Sequence, residues 1–303
     1  MATPSNITLK QLRYFVAVAE VGRFSMAAVQ VHVTQSAITS AVLALEKELG
    51  IKLFERHPQG VTLTADGHSF YRRTRDILDA LDDTLREPRF HTHGISGAIR
   101  IAASYTLLGY FLPPLMARFR ANHPDVAIDL HDMNREEIER AVARNEIDLG
   151  VIILSNSRHG GELEHHILMR SRRQLWTAAN HPVLSNNEPS LADLADLPYI
   201  QITVDESEAS TDRYWQDRGV TRNVAFRTSS MESLRGLIAH GFGITILSDL
   251  VYRPWSLEGK KIEAIPVLDT VPPMEVGLIW KKDRVLDEAN DAFREFLIHA
   301  CGS

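Results

Sequence analysis

A single cysteine, Cys301, stands in the 303 residues of this chain. No intrachain disulfide can form, and no cysteine cluster is available to bind zinc. No apolar run approaches the ~20 residues that a membrane-spanning helix needs. The N-terminal stretch MATPSNITLKQLR has no apolar signal core, so a cytoplasmic protein without a membrane partner is expected. There is no repeat of solenoid length, no phosphate loop and no nucleophile elbow. Gly241-Phe242-Gly243 precedes a strand and lacks the third glycine of a dinucleotide fingerprint. His165 and His166 are neighbours on a crossover strand and face opposite ways. His91 and His93 lie in a polar linker. No metal, cofactor or catalytic residue is therefore expected.

What is present is ordinary in bulk and uneven in distribution. Hydrophobic residues make up 44% and charged residues 24%, and the length suits two or three domains. The net charge of −6 splits into +4 over residues 1–75 and −10 over the rest. A basic head on an acidic body fits phosphate binding confined to one end.

That head carries the most informative stretch, residues 24–67. A short helix (Ser25 to Val31) meets a second that opens at Thr34, with only His32 and Val33 between them. This is the layout of a helix-turn-helix, whose second helix reads the DNA major groove. Ala27, Ala28 and Val31 let the helices approach closely, and Val33 plugs the turn. Thr34 is a suitable N-cap. Ile38, Ala41, Val42 and Leu45 recur at steps of three and four and form the buried stripe. Gln35, Ser36, Thr39 and Ser40 fall off that stripe and can hydrogen-bond base edges or phosphates. Leu49-Gly50 supplies a left-handed stop. Two extended runs around His57-Pro58-Gln59-Gly60, the second containing Thr62, read as a β-wing with Arg56 near its base. The blander alternative is an Ala-rich helix pair in any small bundle.

The motifs narrow that choice. Leu12-Arg13-Tyr14-Phe15, Phe24-Ser25-x-Ala27-Ala28, Thr34-Gln35-Ser36-Ala37-Ile38-Thr39, Leu45-Glu46-x-Glu48-Leu49-Gly50-x-x-Leu53-Phe54-Glu55-Arg56 and Leu63-Thr64-x-x-Gly67 resemble the N-terminal domain of LysR-type transcriptional regulators. The resemblance extends over nearly the whole chain. Ser36 stands where the family often has proline, Ser40 where it often has arginine, and Gln59 where a basic residue is common. Base preference therefore does not transfer from relatives.

Before the turn, Thr8-Leu9-Lys10-Gln11 is a capping-box pattern, and Leu9, Leu12, Phe15, Val16 and Ala19 make one apolar face. After the wing, Ala65 to about Leu85 reads as one long helix with a seam of Phe70, Ile77, Leu78, Leu81 and Leu85. A helix with one apolar seam needs a partner; the plainer reading is packing on its own domain, and by resemblance it pairs with its twin in a homodimer. Glu87-Pro88 to Gly97 reads as a polar linker. From Ala98 strands and helices alternate, which predicts parallel sheets with helices on both faces. A helix is expected over Leu107 to Asn122, bent by Pro113 and Pro114, and another near Thr211 to Arg218.

Three boundaries follow: a winged helix-turn-helix over 1–64, a dimerisation helix and linker over 65–97, and an α/β domain over 98–303. The last should have two lobes, 98–166 with 270–303 and 167–269. Crossings are placed near His165 to Met169 and Val267 to Pro272. The resemblance implies a clamshell like that of periplasmic solute-binding proteins. Its family marks here are Asn145-x-x-Asp148-Leu149-Gly150, His181-Pro182-x-Leu184 and Gly241-x-Gly243-Ile244-x-x-Leu247.

Ligands of such sheets sit at the carboxyl ends of strands. Ser104 and Thr106 follow the first strand, Thr203 follows Tyr199 to Ile202, and Ser229 follows Val224 to Thr228. Ser229-x-x-Glu232 also reads as a capping box. By resemblance, Ser104, Thr106 and Thr203 hold a small effector, commonly an organic anion. Asn134, with Met133 and Leu154, is a weaker candidate to line the cleft. The plainer alternative makes these residues only helix caps. The resemblance implies a DNA-binding transcriptional regulator tuned by a small molecule, acting as a homodimer or homotetramer, with RNA polymerase as a partner if it activates. A solute-binding transport component or an α/β enzyme are the alternatives.

Overall fold

Thr8 starts helix α1 (Leu9–Val21) with the expected capping box: its hydroxyl accepts from Gln11 N at 3.3 Å, and its own N–H donates to Gln11 Oε1 at 2.8 Å. Gly22 closes α1 at φ 72°, a conformation that glycine adopts at little cost. Helices α2 (Phe24–Gln30) and α3 (Gln35–Leu49) follow, and the chain bends by 109° at the break between them. His32 makes the reversal at φ 53°. Thr34 caps α3 by accepting from Ala37 N at 3.2 Å. Strands β1 (Phe54–His57) and β2 (Gly60–Leu63) pair antiparallel as the wing.

The computed structural model describes residues 7–57, 60–86, 94–156, 161–186 and 188–301. Two compact units divide the chain, 1–92 and 93–303. Much of the expected linker over 87–97, including His91 and His93, lies outside the described residues, as does Gln59.

Phe15, Val18, Ala27, Ile38, Val42, Leu45 and Leu53 form the centre of the first unit's core. Leu9, placed on the apolar face of α1, is instead exposed. Helix α4 (Ala65–Arg86) starts where Thr64 Oγ1 accepts from Gly67 N at 2.9 Å. A Cβ at Gly67 would collide with Leu53 O, so that spot admits only glycine without a shift. The seam of α4 is not a single free face. Phe70 packs on Phe15 at 5.1 Å between ring centroids, and Leu78 is buried in the same core. Both therefore stabilise the head from within. Ile77 is 52% exposed and Leu81 half-buried, while the side chain of Leu85 lies outside the described set.

The second unit opens with β3 (Gly97–Ala103), then α5 (Tyr105–Tyr110) and α6 (Leu112–Asn122). One bent helix was expected there. The prolines lack an N–H and clash with the preceding turn, so the helix breaks at Phe111 (φ −120°, ψ −55°) and restarts. Next come β4 (Val126–Asp132), α7 (Arg135–Ala143), β5 (Leu149–Ile153) and β6 (Leu163–Ser171). The second lobe holds β7 (Arg173–Ala178), α8 (Leu191–Leu194), β8 (Pro198–Ile202), α9 (Ser207–Gln216), β9 (Asn223–Thr228), α10 (Met231–Ala239), β10 (Thr245–Ser248) and β11 (Ile262–Ile265). Finally β12 (Met274–Lys281) and α11 (Glu288–Cys301) return to the first lobe.

The first lobe's sheet has the order β4-β3-β5-β12-β6. β3 pairs parallel with β4 and with β5, whereas β12 runs antiparallel to both its neighbours, β5 and β6. The all-parallel expectation fails because β12 returns from the other lobe and not through a helical crossover, which is what enforces parallel pairing. In the second lobe β7 lies antiparallel between β10 and β11, and β8 pairs parallel with β9. A parallel bridge from Tyr199 to Ile244 joins these two pieces. Strand β6 pairs with β12 from Leu163 to Ser171. The first crossing therefore falls at 171–173, and a lobe boundary at 166 would cut that strand.

An ion cluster around the buried Asp148 helps fix this unit. Asp148 takes Arg100 through Nε at 3.1 Å and Nη2 at 2.7 Å, and Arg284 at 2.6 Å. Burial pushes the Asp148 carboxyl up, but the hydrogen bonds from Arg100 and Arg284 outweigh it and hold the carboxyl below the usual aspartate range. Gly150 follows two residues later, where a Cβ would press into Ile138 and Ile279. The motif Asn145-x-x-Asp148-Leu149-Gly150 is thus a packing and charge-pairing device.

Candidate nucleic-acid interface and effector cleft

On α3 the apolar stripe faces the core and the polar residues face out. Ile38, Val42 and Leu45 are buried, while Gln35, Ser36 and Ser40 are exposed and Thr39 is half-buried. Thr34 is exposed but its hydroxyl is engaged, by the Ala37 N–H and by Ser36 Oγ at 3.0 Å. Arg56 and Thr62 project from the wing and are exposed. The Arg56 guanidinium lies 5.5 Å from the Phe24 ring centroid. That contact steadies a flexible cation beside the recognition helix.

Glu46 is the residue that sequence reasoning missed here. It is only 7% exposed, and its Oε1 accepts from Leu53 N at 2.7 Å and Phe54 N at 3.2 Å. Lys52 Nζ reaches Oε2 at 3.1 Å. One carboxylate thus ties the wing's first strand to α3. Val61 N adds a second tie, donating to Gly22 O at 2.8 Å. A Glu in a helix stripe reads as solvated; its donors become visible only once the wing folds back.

The second candidate region lies between the two lobes. Ser104 stands at the N-cap position of α5 with extended backbone, yet its hydroxyl makes no cap bond. It is 3% exposed and Oγ has no hydrogen-bond partner among the described residues. The cap alternative therefore fails for Ser104. Thr106 differs: its backbone N–H donates to Asp205 Oδ2 at 2.8 Å. Asp205 belongs to the second lobe, so the donor expected to meet an effector already holds an internal carboxylate.

Asp205 and Glu206 form an elbow, at φ 52° and φ 57°. Left-handed backbone at two consecutive non-glycine residues is uncommon and costs about 1–2 kcal/mol per residue. What holds it is the bonding on the far side. Glu206 accepts from Arg135 Nε at 2.9 Å, and Arg135 also meets Glu139 at 2.7 Å. Glutamates on so polar a helix are ordinarily solvated. Instead Glu139 joins this inter-lobe ion group, and Glu137 completes a cap.

That cap engages Asn134, the weaker cleft candidate. Its Oδ1 accepts from Glu137 N at 3.0 Å, while Glu137 accepts from Asn134 N at 3.1 Å. Thr203 is exposed and its side chain makes no cap bond, so it remains open. Ser229 is exposed and does not cap α10. Ser230 does, accepting from Ser233 N at 3.2 Å. The expected Ser229–Glu232 box is thus out of register by one residue. Helix α9 likewise begins at Ser207, not near Thr211, because the elbow delivers the chain into it early. Among the described residues no group of three His, Cys, Asp or Glu side chains could hold a metal ion.

A winged helix-turn-helix followed by a two-lobed α/β domain with polar groups between its lobes defines a ligand-responsive transcriptional regulator. The model of the bacterial regulatory helix-turn-helix protein, lysR family, matches residues 9–68, and that of the LysR substrate binding domain matches residues 92–302. The chain belongs to the LysR family. It is 29% identical to the HTH-type transcriptional regulator YnfL of Escherichia coli (strain K12), covering 97% of this chain and 98% of that one. It is 28% identical to the RuBisCO operon transcriptional regulator of Allochromatium vinosum, covering 97% and 96%. The solved structure of HinK, a LysR family regulator from Pseudomonas aeruginosa, matches at 26% identity with a TM-score of 0.63, covering 97% and 98%. These relatives are transcriptional regulators, which sets aside the enzyme and transport-component readings.

Proposed function

We propose that Gln35, Ser36, Thr39 and Ser40 on α3, with Thr34 at its start and Arg56 and Thr62 on the wing, form the DNA-contacting surface of this regulator. The observation that carries the reading is the row of hydrogen-bonding side chains on α3, with Gln35, Ser36 and Ser40 exposed, opposite the buried Ile38, Val42 and Leu45. Gln35 is suited to a base edge, Arg56 to a phosphate or a minor groove. The chain works in the cytoplasm as a homodimer or homotetramer, with Ile77 and Leu81 of α4 in the contact between copies. RNA polymerase is a partner where it activates. Ser104, Thr106, Thr203 and Ser229 border the cleft that receives a small effector. Binding there favours one arrangement of the oligomer over another and so moves the DNA-binding heads.

The test is binding of the full chain to DNA flanking its own gene, at several salt concentrations. Gln35→Ala should lose about 1–3 kcal/mol and relax preference at one base pair. Arg56→Ala should weaken binding evenly across sequences and flatten the salt dependence. Unchanged isotherms for both variants would overturn the surface assignment.

A further inference from the structure

Arg173 begins β7, directly after the crossing between lobes. It pairs in register with Ser248 at the end of β10. Strand β10 is joined to β8 in parallel through the Tyr199–Ile244 bridge. The carboxyl end of β8 leads to Thr203 and Asp205, and Asp205 touches Thr106 of the first lobe. Arg173 therefore sits at the edge of the second lobe's sheet that faces the first lobe.

Its bonding is incomplete. Nη2 donates to Ser210 Oγ at 2.9 Å, and the guanidinium lies 5.7 Å from the Tyr214 ring centroid. No carboxylate among the described residues pairs with it, and Nε and Nη1 have no acceptor there. Four other half-buried or buried arginines of this unit differ. Arg135 meets Glu206, Arg222 meets Asp212, Arg235 meets Glu232 and Arg284 meets Asp148. A half-buried cation without a counter-ion is a standing cost that an arriving anion relieves. Burial also pushes the Arg173 guanidinium below the usual arginine range.

We infer that Arg173, with Ser210, is the anion anchor of the effector cleft, and that the effector carries a carboxylate which this guanidinium receives. The planar fork of arginine fits a carboxylate through two parallel hydrogen bonds. The N-terminus of α5 is not the receiver, because Asp205 already occupies the Thr106 N–H. This rests on the reading of the cleft as an effector site.

The experiment is thermal unfolding of the full chain at matched ionic strength. The probes are sodium acetate, benzoate and succinate, each set against its neutral amide. At least one carboxylate should raise the effector-unit midpoint by about 2–4 °C, while its amide does not. In Arg173→Gln the half-saturating concentration should rise about 10- to 100-fold, the loss expected for a charged hydrogen bond. Arg173→Lys should retain part of the shift. Arg227→Gln, an exposed arginine paired with Glu208, should retain all of it. The assignment is overturned if the shift survives in Arg173→Gln, if acid and amide act alike, or if no carboxylate acts on the wild-type chain. Operator binding is measured alongside. A carboxylate that binds through Arg173 but leaves operator binding unaltered sinks the effector reading and leaves the anion anchor standing.

Discussion

The recognition helix and the inter-lobe cleft both present polar side chains beside a helix start, yet they are built differently. On α3, Gln35, Ser36 and Ser40 face solvent because three- and four-residue steps place Ile38, Val42 and Leu45 in the core. In the cleft, the state of Thr106 is decided by Asp205, 99 positions away in the chain. The first arrangement is local and periodic. The second depends on which loop of one lobe folds against which helix of the other. A DNA surface waits for a partner from outside, whereas this cleft partly satisfies itself.

Removing the Asp148 charge should break the comparison most severely. Asp148→Asn leaves Arg100 and Arg284 short of a counter-ion and should destabilise the effector unit by about 2–3 kcal/mol at neutral pH, discounted for the partial exposure of both arginines. The head should keep its own unfolding transition, which calorimetry resolves. Because the folded carboxyl is depressed, its contribution is present above the unfolded value and lost as pH falls through the folded one. The gap between wild type and variant should therefore close in acid.

Ile77→Asp tests the surface that the head leaves open on α4. It should cost at least about 2 kcal/mol of association and dissociate the wild-type assembly by one step in ultracentrifugation. The same change at Leu78 should unfold the head instead, since that side chain is in its core. Equal behaviour of the two variants would argue against the division of the seam.

Asp205→Ala sharpens the comparison from the cleft side. It frees the Thr106 N–H from a charged acceptor and should cost about 1.5–3 kcal/mol of local stability. Hydrogen exchange at Thr106 should speed up by 10-fold or more, with Gln35 on the head unchanged. Unaltered exchange would mean that the elbow does not hold the lobes.

The smallest effect is expected at Asp249, beside the crossing. Its N–H donates to Arg172 O at 2.9 Å, and burial pushes its carboxyl up to about 6, against a weaker opposing pull from Arg172. A raised folded value means that stability is full below the unfolded pKa and lost as pH rises through about 6. Asp249→Asn should thus stabilise at pH 7–8 by about 1 kcal/mol, discounted because 34% of the side chain is exposed. The gain should vanish below about pH 4. A constant difference across that range would rule out titration of Asp249 as its cause.

Much of the fold was legible because its signals are short-range. The capping boxes at Thr8, the turn at His32 and the glycine stops at Gly22 and Gly50 involve residues within four positions of each other. What was missed mostly involves distant partners, although the cap at Asn134 closes on Glu137 only three residues on. Asn134 looked like a cleft residue and is a cap. Ser104 could have been a cap and is not. Glu46, Arg135, Asp205 and Glu206 carried no motif, since a charged residue announces its charge in sequence but not its partner.

The sequence by itself determined the family, the helix-turn-helix and its outward polar row, the alternation of strands and helices, and the division into a basic head and an acidic body. Periodicity, capping and turn chemistry are written in neighbouring residues, so they survive without knowledge of the rest of the chain. Only the tertiary structure decided that β12 returns antiparallel, that Phe70 and Leu78 belong to the head's own core, that Asp205 already holds the Thr106 amide, and that Arg173 alone among the half-buried and buried arginines compared above has no carboxylate beside it. Each of those depends on a contact across dozens of residues, where the energy of pairing a charge or filling a core is settled by what arrives from elsewhere in the fold.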